Sequence, residues 1–148
     1  MEIQQDYRDL LASLNAHGVE FIIVGAYALA YHGAPRLTGD LDILVDVSGE
    51  NSVRVMDALR EFGFESPDLA PEDFQQPDNV IQLGVPPLRV DILTTLTGVS
   101  WAEASSGKVA AAYGDVPVFY LGRKEFVANK RALGRKRDLA DIEAIGEV

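Results

Sequence analysis

Three aspartates stand where carboxylates could bind a divalent cation. Asp40 and Asp42 flank Leu41 in the segment DLDILVD, and the two-residue period of a β-strand puts both carboxylates on one face. Carboxylates so close to each other repel and raise each other's pKa, whereas Mg²⁺ accepts one or two carboxylates together with phosphate oxygens and water. Such a triplet alone is more typical of a solvated strand end, so other residues must decide between the two interpretations.

Asp91 is the third aspartate, and it lies inside the apolar run LRVDIL. An acid buried in such a strand is costly unless it is paired or bound to a metal. One interpretation is an ion pair with Arg89, which shares its face of the strand. The other places this strand beside the one that holds Asp40 and Asp42, so that three carboxylates meet and suit two metal ions of the kind that assist phosphoryl transfer.

Gly25 lies between a hydrophobic strand and the start of a helix. Free backbone N–H groups at a helix start, together with the helix dipole, favour a phosphate group. A tight turn from strand to helix would require glycine equally well. The residue type leaves both interpretations open.

Basic residues are concentrated near the end of the chain. Seven of the thirteen lie between Arg123 and Arg137, where Glu125 is the only acid, so this basic segment carries +6 in a protein of net charge −10. An overall acidic protein is unsuited to coating nucleic acid non-specifically, but a local basic segment could bind a polyphosphate. We expect the segment to face the carboxylates, with Lys130 as the preferred phosphate ligand; a solvated helix face is the alternative.

Composition limits the remaining classes of protein. The chain has 148 residues and no cysteine, which excludes disulfides and thiolate metal sites and leaves carboxylates and two histidines as the strong metal ligands. It has no apolar run long enough to span a membrane, and its N-terminus lacks the basic region of a secretory signal. We expect a single domain over residues 1–148, located in the cytoplasm.

Hydrophobic periodicity and glycine positions predict helices that alternate with strands. Helices are expected at 6–16, 26–31 and 51–62, the last with Val53, Met56, Leu59 and Phe62 on its apolar face. A surface loop over 65–78, a hairpin of strands 79–83 and 88–93, and a helix capped by Ser100 and Glu103 follow. Strands are also expected at 19–24, 40–46 and 116–121, the last at a sheet edge because of Pro117. Two helices broken at Gly134 end the chain, with Asp138, Asp141 and Glu143 starting and solvating the second. The pattern predicts an α/β (α+β) fold with a mixed sheet flanked by helices.

Two segments carry a resemblance to a known family. Val24-Gly25-Ala26, a short helix, and then RLTGDLDI over 36–43 resemble the signature of the nucleotidyltransferase superfamily, in which Gly-Gly or Gly-Ser opens a helix and Asp-x-Asp follows on the next strand. The run R-x-T-x-D-L-D-I and the segment KRALGRKRDLADI over 130–142 resemble small bacterial nucleotidyltransferase-like proteins, including the AbiEii-type toxins of type IV toxin–antitoxin systems.

The resemblance implies a polymerase-β-like fold and a reaction in which a hydroxyl of protein or RNA, transfer RNA included, attacks the α-phosphorus of a nucleoside triphosphate and releases pyrophosphate. It also implies Mg²⁺ or Mn²⁺ as cofactor, an antitoxin as partner, and Asp91 as the group that helps to deprotonate the acceptor. The implied metal ligands are Asp40, Asp42 and Asp91, and the implied nucleotide contacts are Gly25, Ala26, Thr38 and Lys130.

One position departs from the family pattern. Ala26 stands where related sequences have serine or glycine, so a hydroxyl that would bind phosphate is missing while the backbone N–H remains. The alternative hypothesis is therefore a catalytically impaired module on the same fold that binds a nucleotide or a partner.

Overall fold

A computed structural model describes residues 3–35, 40–64, 66–85 and 88–147 of the chain. Helices and strands alternate along it without a regular order, and a short 3₁₀ turn at Pro71–Phe74 interrupts the loop after the third helix. The elements are α1 Gln5–Ala16, β1 Phe21–Val24, α2 Gly25–Tyr31, β2 Asp40–Val45, α3 Gly49–Phe62, β3 Val80–Val85, β4 Leu88–Leu93, α4 Trp101–Gly107, β5 Val109–Tyr113, β6 Val116–Tyr120, α5 Arg123–Leu133 and α6 Lys136–Ala144.

The described strands form one mixed sheet in the order β3-β4-β2-β1-β6-β5. Strand β2 lies at its centre, antiparallel to β1 and parallel to β4. The hairpin partners β3 and β5 complete the two ends in antiparallel pairing. A mixed sheet with flanking helices is the predicted fold class, which is thereby confirmed.

Strand β2 runs from a polar end into the core. Asp40 and Asp42 are partly exposed, whereas Leu41 and Ile43 are fully buried on the opposite face. Its neighbour β1 is buried along its whole length. On the helical side, α1 packs on α3, and Ser13 of α1 donates a hydrogen bond to the carbonyl of Ala58 at 2.9 Å. The core therefore fixes the strand that carries the two aspartates.

Strand β6 is not an edge strand, contrary to the prediction from Pro117. It lies between β1 and β5, but its register joins Ile23 of β1 only with Tyr120. Pro117 precedes Tyr120 by three residues, so in this register it lies opposite the part of the chain that comes before β1. Its missing N–H therefore removes no hydrogen bond to β1. Its carbonyl accepts a hydrogen bond from Asn15 at 2.7 Å. The edge is instead β5, which was not predicted because its run of alanines favours a helix.

Helix α3 buries a different face from the predicted one. Val53 is 48% exposed, while Val55, Met56 and Leu59 are buried. Residues spaced by three drift around the helix, because one turn takes 3.6 residues. The buried face that contains Met56 and Leu59 therefore includes position 55 and not position 53. Within the described part of the chain, no helix combines the length and apolar character needed to cross a bilayer.

Candidate active site

The parallel pairing of β2 with β4 brings Asp42 and Asp91 side by side. Their Cα atoms are direct partners in the register, and Asp40 is the partner of Arg89 in the same way. Side chains of paired residues project to one face of a sheet, so the carboxylates of Asp40, Asp42 and Asp91 lie on the same face. Val90 and Ile92 point the other way, into the core.

Arg89 contacts two of these carboxylates. Its Nη2 lies 2.9 Å from Oδ2 of Asp40 and its Nε lies 3.3 Å from Oδ1 of Asp91. The side chain of Asp91 is only 13% exposed. Both Nε of Arg89 and Oδ1 of Asp91 are shielded from solvent without hydrogen-bonding geometry. Asp91 therefore pairs with Arg89, as the first interpretation has it, and its strand lies beside the one that carries Asp40 and Asp42.

The charge on Asp42 is unfavourable in this environment. Burial, followed by the nearby carboxylates of Asp91 and Asp40, raises its pKa to about 6, against the opposing effect of the cations of Lys130 and Arg89. Burial also raises the pKa of Asp91, whereas Arg89 and a hydrogen bond with Asp42 lower it. Neighbouring carboxylates repel each other when both are charged, and a cation bound between them would relieve that repulsion.

Gly25 makes room for the carboxylate of Asp42. It has a φ of +65°, in the left-handed region, and an added Cβ would overlap Oδ2 of Asp42 and lie 3.0 Å from its Cγ. The close approach arises because Val24, the last residue of β1, is the register partner of Asp42. Glycine is therefore required both by the turn from strand to helix and by the position of the acid.

Lys130 is a member of the basic segment whose charge acts on Asp42. Its side chain is 12% exposed, with Nζ 3.3 Å from Oδ2 of Asp141 and 3.6 Å from Oδ1 of Asp138. Its charge also lowers the pKa of Asp42. The prediction that Asp138 and Asp141 are solvated is wrong, because both are buried in the contact between α5 and α6. Asp138 does start α6, since its Oδ2 accepts a hydrogen bond from the backbone N–H of Arg135.

Most of the remaining basic segment is exposed to solvent, as a solvated helix face would be. The expectation that the whole segment turns toward the carboxylates is therefore not met. The exposed members are Lys124, Arg131, Arg135, Lys136 and Arg137.

The donor chemistry of the site fits a hard divalent cation. Its ligands would be carboxylate oxygens, which Mg²⁺ and Mn²⁺ prefer, and Oδ1 of Asp91 is buried without a hydrogen bond. Within the described ranges, no three acidic or histidine side chains lie close enough together to enclose a metal.

Thr38, the other implied nucleotide contact, lies outside the described residues. His32 makes a structural contact, since its Nε2 lies within hydrogen-bonding distance, 2.7 Å, of the carbonyl oxygen of Leu121.

Comparison with known proteins identifies the architecture. No family model and no curated protein matches the sequence. A candidate nucleotidyltransferase from Thermotoga maritima superposes with a TM-score of 0.62 at 16% identity, over 96% of this chain and 89% of that one. An antigenic nucleotidyltransferase-like protein from Paracoccidioides brasiliensis superposes with a TM-score of 0.51, also at 16% identity, over 92% of this chain and 70% of that one. The chain has a nucleotidyltransferase fold.

Two features of this nucleotidyltransferase fold were missed by sequence reasoning. The contact of Arg89 with Asp40 crosses between strands and depends on a register that the sequence does not state. The sequence did contain an indication that Lys130 pairs with Asp138 and Asp141, because acids three residues apart on a helix share one face. That face was assigned to solvent, although a lysine on the preceding helix could reach it.

Proposed function

We propose that this protein transfers a nucleotidyl group from a nucleoside triphosphate to a hydroxyl group, with Mg²⁺ or Mn²⁺ as cofactor. The observation that supports this most directly is the placement of Asp40, Asp42 and Asp91 on one face of a nucleotidyltransferase fold. Burial and the neighbouring carboxylates of Asp91 and Asp40 raise the pKa of Asp42, which makes its charged form unfavourable. A bound divalent cation would supply positive charge and draw the phosphate groups to an otherwise acidic surface.

The chain's own residues have separate roles in this proposal. The side chain of Asp91 is only 13% exposed, and its raised pKa suits a group that accepts the proton of the acceptor hydroxyl. Lys130 would bind the terminal phosphates and stabilise the pyrophosphate as it leaves. The backbone of Gly25 and Ala26 and the hydroxyl of Thr38 are the further proposed contacts to the nucleotide.

The proposed acceptor is a hydroxyl of a protein or of an RNA such as transfer RNA. The exposed cations of the basic segment support a polyanionic acceptor, because they remain accessible beside Lys130. A role as the toxin of a toxin–antitoxin pair, with an antitoxin partner, rests on the runs RLTGDLDI and KRALGRKRDLADI, which resemble AbiEii-type proteins.

A second candidate is a catalytically impaired module that binds a nucleotide or a partner. Ala26 removes a hydroxyl that related sequences offer to phosphate. Arg89 also holds two of the carboxylates in the absence of metal. In this case nucleotide binding would survive and transfer would not.

The deciding experiment incubates the purified protein, a cell extract and each α-labelled nucleoside triphosphate in turn with Mg²⁺. Pyrophosphate release with label on protein or RNA supports transfer, and treatment with protease or ribonuclease identifies the acceptor. Asp42→Asn should abolish both signals, whereas Asp68→Asn on an exposed loop should leave them unchanged. Nucleotide binding without labelling for all four nucleotides would favour the impaired module.

A further inference from the structure

Arg89 occupies an unusual position for a cation, inside the candidate metal site. It precedes Asp91 by two residues on β4, so both side chains share one face, and the register sets it opposite Asp40 on β2. Its Nη2 lies 2.9 Å from Oδ2 of Asp40 and 3.5 Å from Oδ2 of Asp91. A single guanidinium therefore joins carboxylates from the two strands that carry all three aspartates.

The contacts of this guanidinium are incomplete. Nε of Arg89 and Oδ1 of Asp91 are 3.3 Å apart and buried, yet they do not form a hydrogen bond. A buried ion pair gains fully from its charges only when the hydrogen-bonding geometry is good. Arg89 also brings only one positive charge to a face of the sheet that carries three carboxylates. A divalent cation would satisfy the same oxygens better.

The arginine side chain can leave without disturbing the strand. Its backbone carbonyl accepts a hydrogen bond from the hydroxyl of Tyr7 at 3.0 Å, and its backbone is held between β2 and β3. Its side chain is 29% exposed, so part of it already contacts solvent. The strand position and the guanidinium position are therefore set by different contacts.

We propose that Arg89 is a displaceable internal counter-ion, which binds Asp40 and Asp91 in the absence of metal and is displaced when a divalent cation binds. This inference rests on the metal site of the proposed function. It explains why the carboxylates of the described residues are not gathered around a common point although their strands place them together. The affinity of the protein for the metal then depends on competition between the metal and Arg89 for the same carboxylates.

The experiment measures Mn²⁺ binding by electron paramagnetic resonance on the full chain without nucleotide. Arg89→Ala should bind Mn²⁺ at least about fivefold more tightly than the wild type, because the competing cation is gone. Arg89→Lys keeps the charge but cannot contact both carboxylates, so its affinity should lie between the two; it also serves if the alanine variant does not fold. Adding Asp42→Asn to Arg89→Ala should remove the gain, which locates the metal.

The matched control is Arg8→Ala, which breaks a surface ion pair with Asp115 at 2.8 Å and should leave Mn²⁺ affinity unchanged. A merely structural arginine would lower the melting temperature without tightening metal binding. Unchanged or weaker Mn²⁺ binding in both folded Arg89 variants, with normal binding by the wild type, would overturn the inference and leave the proposed function standing. If no protein in the series binds Mn²⁺, both the inference and the proposed metal site are wrong.

Discussion

Asp42 makes the metal-free protein sensitive to pH. Its pKa in the folded protein is about 6, against about 3.9 for an aspartate in an unfolded chain. The folded state therefore binds this proton more tightly than the unfolded state does. The free energy of unfolding consequently decreases as the pH rises from about 4 to about 6, and the loss persists above that range.

Asp42→Asn should accordingly stabilise the metal-free protein at pH 8 but not at pH 4. The expected increase in the free energy of unfolding at pH 8 is roughly 1–2 kcal/mol, since the substitution removes a buried charge beside other carboxylates. Urea denaturation in the presence of a chelator measures it at both values. Asp68→Asn, at an exposed position, should change neither. A gain of the same size at pH 4 would show that charge is not its cause.

Gly25→Ala tests the close approach of the backbone to Asp42. Gly18 has nearly the same φ, +68° against +65°, but an added Cβ there meets nothing within 4 Å. Gly18→Ala should therefore cost only the backbone strain of about 1 kcal/mol. Gly25→Ala should cost about 3 kcal/mol or more, because Asp42 must also move. Thermal or urea denaturation of both variants makes the comparison, and equal losses would mean that the carboxylate yields freely.

Helices α5 and α6 are joined by the charges around Lys130. Lys130→Ala would leave Asp141 and Asp138 buried, the latter with Arg135 still in contact at 2.6 Å. Removing the cation of a buried ion pair leaves the remaining carboxylates less well compensated, so we expect a loss of roughly 3 kcal/mol in the free energy of unfolding. Lys124→Ala, exposed on the same helix, should change it by less than about 0.5 kcal/mol.

The same Lys130 variant separates the structural role of this lysine from its proposed role with the nucleotide. Below its melting temperature, it should bind a nucleoside triphosphate much more weakly than the wild type does, with a smaller loss for the monophosphate, because the ammonium would contact the terminal phosphates. Isothermal titration with both ligands checks this. Equal losses for the two ligands would limit Lys130 to holding the helices together.

The elements differ in how much of them the sequence predicted. Gly134 marked the break between the last two helices correctly, and the capping pair of Ser100 and Glu103 marked the start of α4. Strand β5 was missed because alanine propensity contradicts its pairing with β6. Propensity is local, whereas a strand is stabilised by its neighbours. The sequence could therefore place the capped helices better than the edge of the sheet.

The same distinction between local features and contacts across elements applies to the candidate site. Strand periodicity put Asp40 and Asp42 on one face from the sequence alone, and the apolar run around Asp91 indicated a neighbouring strand. The contacts of Arg89 with Asp40 depend on the register between β2 and β4, and the burial of Asp138 depends on how α6 packs. Neither register nor packing can be read from spacing within one element.

At the scale of the whole molecule, charge separation governs the response to ligands. The protein carries −10 overall, so a triphosphate approaches a repulsive surface unless a cation accompanies it. Mg²⁺ and a nucleoside triphosphate together should therefore raise the melting temperature, whereas either alone should do much less.

At a concentration about one hundred times the dissociation constant, such a ligand stabilises the folded state by about 2.7 kcal/mol, which corresponds to roughly 5 °C or more for a chain of this length. Differential scanning fluorimetry with and without Mg²⁺ measures the shift. Asp42→Asn should lose it and Arg8→Ala should keep it. The same shift in wild type and Asp42→Asn would show that the nucleotide binds elsewhere.

The contact between Gly25 and Asp42 also constrains the order in which mutations can accumulate. While Asp42 is present, a side chain at position 25 meets its carboxylate, so the change at 25 is selected against even where activity is not needed. A smaller residue at position 42 would lack the two atoms nearest to that side chain, so the same change at position 25 would then destabilise the protein less. The two substitutions are therefore non-additive. Related lineages that abandon the chemistry should therefore lose the acid first and the glycine afterwards, a sequence of events that ancestral reconstruction could recover.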